Sequence, residues 1–208
     1  MKTYTQLRED IDLIGVAGGF DAHHANRVFK AERTERDDKI MNIGKIHKDY
    51  SLHREGDNVM FITHDKTKKV IGRIDGEGSP KRFAVHGISV HPKHTKKKIG
   101  HSLAVAAYKH LHGMGVDVHS DAQQSPGGAS VWNTLRKDPD TRKHVHVVRN
   151  NRIIGQASKM KTQDIWTSRP GFTRDRAAKK GIRSSSSEGS KGKKIVGVTL
   201  VLKGKKKR

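Results

Sequence analysis

Ile88-Ser89-Val90-His91-Pro92-Lys93-His94-Thr95-Lys96-Lys97-Lys98-Ile99-Gly100-His101-Ser102-Leu103 is the stretch in which the hydrophobic period of this chain changes. Residues 82–90 read as a β-strand, and Pro92, which has no backbone N–H, ends that run. Leu103, Ala104, Ala107, Tyr108 and Leu111 then recur at steps of three and four, the spacing of one helical face, with Gly113 and Gly115 as the stop. Between strand and helix lies a basic turn. The first turn of a helix presents unpaired N–H groups and about half a positive charge, which together attract an anion. Lys96, Lys97 and Lys98 add cations at that point, and Gly100 permits close approach because it has no Cβ.

Upstream, residues 46–53, 58–64, 69–75 and 82–90 form four β-like runs. The separators Arg54-Glu55-Gly56-Asp57, Asp65-Lys66-Thr67-Lys68 and Gly76-Glu77-Gly78-Ser79-Pro80 are turn chemistry at hairpin length, so an antiparallel meander is expected. Residues 1–43 are polar and weakly periodic, with one short helix expected near 25–35. Downstream, 116–119 reads as a short strand. Ser125 and Pro126 start a second helix to about Lys137 on the apolar face Val131, Trp132 and Leu135, and 144–148 is the next strand. Residues 150–194 are rich in Ser, Lys, Arg and Gly, and read as a largely flexible excursion. Ile195-Val196-Gly197-Val198-Thr199-Leu200-Val201-Leu202 is too apolar to be left in water and has strand composition, so a closing strand is expected, leaving 203–208 as a basic tail. The fold class that follows is α+β, a mixed, mostly antiparallel sheet flanked by helices, with its core at 44–149.

The chain has 208 residues and a net charge of +22. Through Asn150 there are 26 basic and 18 acidic residues, whereas the remainder holds 17 basic and 3 acidic. Clustered positive charge favours nucleic acid or another polyanion as partner, with 152–194 and 203–208 as the surfaces expected to bind it. Nothing approaches the ~20 apolar residues of a membrane span, and the first ten residues lack the layout of a secretory signal. No membrane association and a cytoplasmic setting are the expectations. Cysteine is absent, which removes disulfides, thiol nucleophiles and Cys-ligated zinc. All 14 histidines precede residue 150, yet pairs such as His110 and His112 lack a recognisable ligand spacing, and no metal site is expected.

The ordered elements around Val90-His91-Pro92 and the glycine-containing turn resemble the GNAT superfamily of acyl-coenzyme A-dependent N-acyltransferases. The resemblance covers roughly 58–148, with 195–202 as the closing strand. In that family a strand ending Val-x-Pro leads into Arg/Gln-x-x-Gly-x-Gly/Ala, whose amides hold the cofactor pyrophosphate. It implies acetyl-coenzyme A as cofactor, held by Val90, Lys96, Lys97, Lys98, Ile99, Gly100 and His101. Two departures stand out, Thr95 at the family's leading Arg/Gln and Lys98 at its first glycine. A third falls in the second helix, where Trp132 takes the place of the family's acid tyrosine; indole donates but does not dissociate, so Trp132 reads as core or as a surface packed against the cofactor, not as a catalytic residue. A small basic protein of this type would suit a bacteriophage genome, which puts it in a host cytoplasm or a virion.

Acyl transfer to an amine needs a base, because an ammonium has no lone pair. Histidine fits that role near neutral pH. His86, on the strand before the turn, ranks first; His119 and Asp121, at the end of the next strand, follow, with Ser120 and Tyr108 as weaker donors. The leading function is therefore an N-acetyltransferase acting on an amine that the sequence does not identify. The alternative is a non-catalytic protein of the same fold that binds nucleic acid or anchors in a larger assembly such as a virion.

Overall fold

The structure, a computed structural model, describes residues 40–91, 99–121, 126–149, 151–161, 165 and 198–205. The expected helix near 25–35, Lys96, Lys97, Lys98, Ser125 and most of 150–194 lie outside them. The chain divides into two compact units, Met1–His110 and Leu111–Arg208. The first holds strands β1 (Ile40–His47), β2 (Tyr50–Glu55), β3 (Val59–His64), β4 (Lys69–Ser79) and β5 (Arg82–Val90). Helix α1 (Ile99–Gly113) follows. Strand β6 (Asp117–His119), helix α2 (Pro126–Leu135), β7 (Val145–Arg149), β8 (Arg152–Gln156), a 3-10 turn (Ala157–Lys159) and β9 (Val198–Leu202) belong to the second unit. The fold is α+β with mostly antiparallel strands, the class expected from the sequence.

β1 to β5 form the meander, each strand antiparallel to the next. Three details depart from the sequence expectation. The run 46–53 is two strands, because Lys48-Asp49 turns the chain between β1 and β2, and pairing begins at Ile40 within the segment read as poorly defined. The glycine-rich separator after Asp75 is strand, not turn: β4 continues to Ser79 and the chain reverses at Pro80-Lys81. Phe83 packs against it: a Cβ on Gly76 would lie 2.6 Å from Phe83 Cε1 and would also meet Ala84 O, and one on Gly78 would lie 2.8 Å from Phe83 Cδ2, so the ring occupies space that glycine leaves bare. Third, β3 is buried from Val59 through Thr63, without alternation. Leu52, Met60, Ile62 and Ile74 fill one side of the meander, and Val59, Phe61 and Val70, with Ile40 against them, make a second cluster. A strand covered on both faces has no solvent side on which to place polar residues.

α1 buries Leu103, Ala104, Ala107, Tyr108 and Leu111, the face expected of it. It stops at Gly113, and Gly115 takes a φ of +89° that a side chain resists. In the second unit the strand order is β6-β9-β7-β8. β9 therefore sits between β6 and β7, antiparallel to both, and Leu200, Val201 and Leu202 are all buried. Of the run 195–202, Val198–Leu202 are strand, and residues 195–197 lie outside the described residues.

Two expectations for this unit need correction. The excursion does not begin loosely, because β8 pairs with β7 around a turn at Asn151. Nor is the tail free from residue 203. Lys203 N donates to His144 O (3.0 Å), Lys205 N donates to His112 O (2.8 Å), and the Asp117 carboxylate accepts from Lys203 Nζ (2.6 Å) and Gly204 N (2.8 Å). α2 packs Ala129, Val131, Trp132 and Leu135 inward, and Thr141 Oγ1 donates to Leu135 O (2.6 Å), satisfying an orphan carbonyl at the helix end.

Candidate functional site

β5 carries the first group of candidate residues. Its register with β4 runs Asp75↔Gly87 and then Gly76↔Val85, which leaves His86 with no opposite number. His86 therefore sits on a β-bulge and is exposed. Bulges re-aim side chains, and here the bulge lifts an imidazole out of the ladder. Beside it, a Cβ on Gly87 would meet nothing within 4 Å, so the strand has open space next to His86. The backbone stays attached one residue past the strand, where His91 N donates to Ile71 O (2.8 Å).

Val90, the last residue of β5, meets the start of α1. A Cβ on Gly100 would stand 3.0 Å from Val90 Cγ1 and 3.1 Å from its Cβ. This modifies the reading of Gly100: the space it leaves is taken by Val90, so its glycine seats the helix on the strand rather than baring a cradle. The first turn of α1 holds no acidic residue. Ile99 opens the helix and His101 is half-buried in its first turn. Lys96, Lys97 and Lys98, the cations expected to complete the turn, are outside the described residues.

The second group lies in the other unit, at the end of β6. Ser120 is consumed by structure. Its N–H donates to Leu200 O (2.8 Å), its Oγ accepts from Leu200 N (2.8 Å), and its hydroxyl proton goes to Asp121 O (2.9 Å). That arrangement extends the β6–β9 ladder by a side chain and withdraws Ser120 as a reactive donor. His119 is half-buried and Asp121 exposed on either side of it. Asp117, at the start of β6, is raised by partial burial, but bonds from Lys203 and Gly204 N, aided by the Lys203 and His119 charges, win and hold its carboxyl below the usual range. Tyr108 is 2% exposed, and burial pushes its phenol well above the ordinary value, so it keeps its proton inside the core. Trp132 is 1% exposed, in the core as expected.

Sequence reading missed a polar cleft of about 150 Å³ lined by Asn42, Ser51, His53, Thr63, Asp65 and Lys68 among others. Ser51 Oγ donates to Asp65 Oδ1 (2.6 Å), His53 Nε2 pairs with Thr63 Oγ1 (2.9 Å), and Lys45 Nζ lies 3.4 Å from Asp65 Oδ2. The Ser51 hydrogen bond is the main reason that the Asp65 carboxyl is held low, against some desolvation and with help from Lys45 and Lys68. The signal in the sequence is Ser51 and His53 alternating on one strand, but their partners, Asp65 for Ser51 and Thr63 for His53, come from β3 and the turn after it. No group of three or more His, Asp and Glu that could hold a metal occurs among the described residues. No helix among them is long and apolar enough to cross a membrane.

No family model and no curated protein sequence matches the chain. Among solved structures, the ribosomal-protein-S18-alanine N-acetyltransferase from Escherichia coli aligns with it over 65% of this chain and 72% of that one, at a TM-score of 0.33 and 14% identity. No residue role is transferred at that level of likeness.

Proposed function

We propose that this chain is a GNAT-fold N-acetyltransferase that moves an acetyl group from acetyl-coenzyme A to an amine. The observation that carries the reading is the seating of α1 on the end of β5 through Val90 and Gly100, directly after a strand bulged at His86 and opening beside Gly87. The first-turn amides of α1, with Lys96, Lys97 and Lys98 before them in sequence, suit the pyrophosphate of the coenzyme. Bound there, acetyl-coenzyme A supplies an activated thioester carbonyl. His86 takes a proton from the accepting ammonium, freeing the nitrogen lone pair that forms the new C–N bond as the C–S bond breaks. His119 and Asp121 are second-rank bases. A cytoplasmic setting suits both the coenzyme and the absence of cysteine.

One specific observation favours a second reading. Trp132 is sealed in the core at the position where the resemblance expects an acid to protonate the departing thiolate. A GNAT-fold protein without turnover, bound to nucleic acid or anchored in a larger assembly such as a virion, accounts for that residue and for the +22 charge. Calorimetric titration of the full chain with acetyl-coenzyme A decides between them. Saturable binding that Lys96→Gln, Lys97→Gln and Lys98→Gln together weaken supports the enzyme, and a folded protein that does not bind supports the alternative.

A further inference from the structure

We propose that the β7–β8 hairpin is a docking site for an acidic, extended peptide segment of a partner protein, which adds as a strand along β8. The inference goes beyond the acetyltransferase reading and uses none of its residues.

Arg149 and Arg152 stand directly opposite each other in the register of this hairpin, on either side of a turn in which Asn151 takes a φ of 59°. Both are exposed, and neither has a partner for its charge among the described residues. Like charges placed directly opposite on adjacent strands repel. Two guanidinium groups held together in this way form a site that a carboxylate neutralises with charge-assisted, bidentate hydrogen bonds.

Ile153 and Ile154 follow at once, 52% and 45% exposed. A register shift opposite Val147 and Val148 drops Ile154 out of the ladder, so this part of β8 is bulged as well as apolar. Of the large apolar side chains exposed among the described residues, these alone are neighbours in sequence; the others are Met41 and Met114. β8 stands last in the order β6-β9-β7-β8 and, among the described residues, pairs with β7 alone. On either side of the bulge at Ile154 its outer edge offers backbone groups for strand addition.

Charge selects the occupant. Residues 142–163 hold six Lys and Arg and no Asp or Glu. A second copy of the chain would set like charge against like. Nucleic acid would satisfy the arginines but gain little from two isoleucines, and among the described residues no large aromatic side chain on which bases could stack is exposed. An extended peptide alternating acidic and apolar residues matches the arginine pair, the isoleucines and the outer edge of β8 together.

The test uses the full-length protein and a fluorescein-labelled heptapeptide of alternating glutamate and valine, followed by anisotropy. Expected are saturable binding, a loss of about tenfold or more in R149E/R152E and again in I153S/I154S, and slowed amide exchange over 152–156 in the complex. The lysine–valine heptapeptide should not bind. Equal affinity for the two peptides, or no loss in I153S/I154S, overturns the proposal, since general positive charge would then explain any binding. Duplex DNA bound more tightly than the acidic peptide, and unaffected by I153S/I154S, would make the hairpin a nucleic-acid surface and also overturn it. R149Q/R152Q, with melting temperatures for every variant, keeps the comparison readable if charge reversal disturbs the fold.

Discussion

Gly100 meets Val90 so closely that a single methyl group at Gly100 would stand 3.0 Å from Val90 Cγ1. Valine is stiff at χ1 and cannot readily swing aside. Gly100→Ala should therefore cost about 1–3 kcal/mol through overpacking, partly offset by alanine's better helix propensity. In a Val90→Ala background the same change should cost less, because both γ-methyl groups are gone while the Cβ, 3.1 Å away, remains. Denaturant midpoints for the four proteins of this cycle check the coupling; purely additive effects would mean that helix and strand are not locked at this point.

If His86 is the base, His86→Ala should lower the acetyl-transfer rate by about 10²–10⁴ at saturating substrate. Because His86 is exposed on a bulge, its melting temperature should hardly change. His119→Ala is the matched control, being half-buried on β6. A larger rate loss there, with little effect at His86, would transfer the role to the end of β6.

Truncations report on the C-terminal strand. Removing residues 206–208 should leave stability unchanged, whereas removal from Lys203 should lower it measurably, because the Asp117, His112 and His144 contacts go with that segment. Removal from Val198 should prevent folding of the second unit, since β6 and β7 would face a gap where β9 now pairs with both. Equal melting temperatures for the first two truncations would show that the Lys203–Gly204–Asp117 contacts contribute nothing.

Two groups around Lys203 make the protein acid-sensitive. The folded-state pKa of Asp117 is depressed, so its contribution is complete above the unfolded carboxylate value and is lost as pH falls below about 4. His146 is lowered by burial first and then by the charges of His144 and Lys203. The unfolded chain binds that proton more readily, so stability also declines as pH falls through and below about 6.5. Lys203→Gln should reduce stability at pH 7 by on the order of 1 kcal/mol, discounted for solvent screening of a partly exposed ammonium. It should also flatten both declines. Urea midpoints between pH 3 and 8 would reveal this, and an unchanged pH profile in the variant would remove Lys203 from the account.

Local chemistry made much of the fold legible. Asp65-Lys66-Thr67-Lys68 is a turn because those residues are turn formers between two apolar runs, and β5 occupies the bounds its composition implies. The buried face of α1 follows from its own spacing. The candidate site was less legible. Val90 and Gly100 were visible as a motif, but the functions of Ser120 and Gly100 depend on Leu200 and Val90, which reach them through packing.

By itself the sequence determined the α+β class, the meander, the helix after Pro92 and the strand character of Val198–Leu202, since each depends on side-chain period, turn chemistry or burial of an apolar run within a few residues. Only the tertiary structure decided that β9 enters between β6 and β7, that the glycine-rich separator after Asp75 is strand packed against Phe83, that His86 is bulged out of β5, and that Arg149 opposes Arg152. These are matters of register and of contact between residues distant in sequence or across a hairpin. A one-residue slip reverses the face of every side chain on a strand, and that choice is made by the energy of the assembled layers rather than by any segment alone.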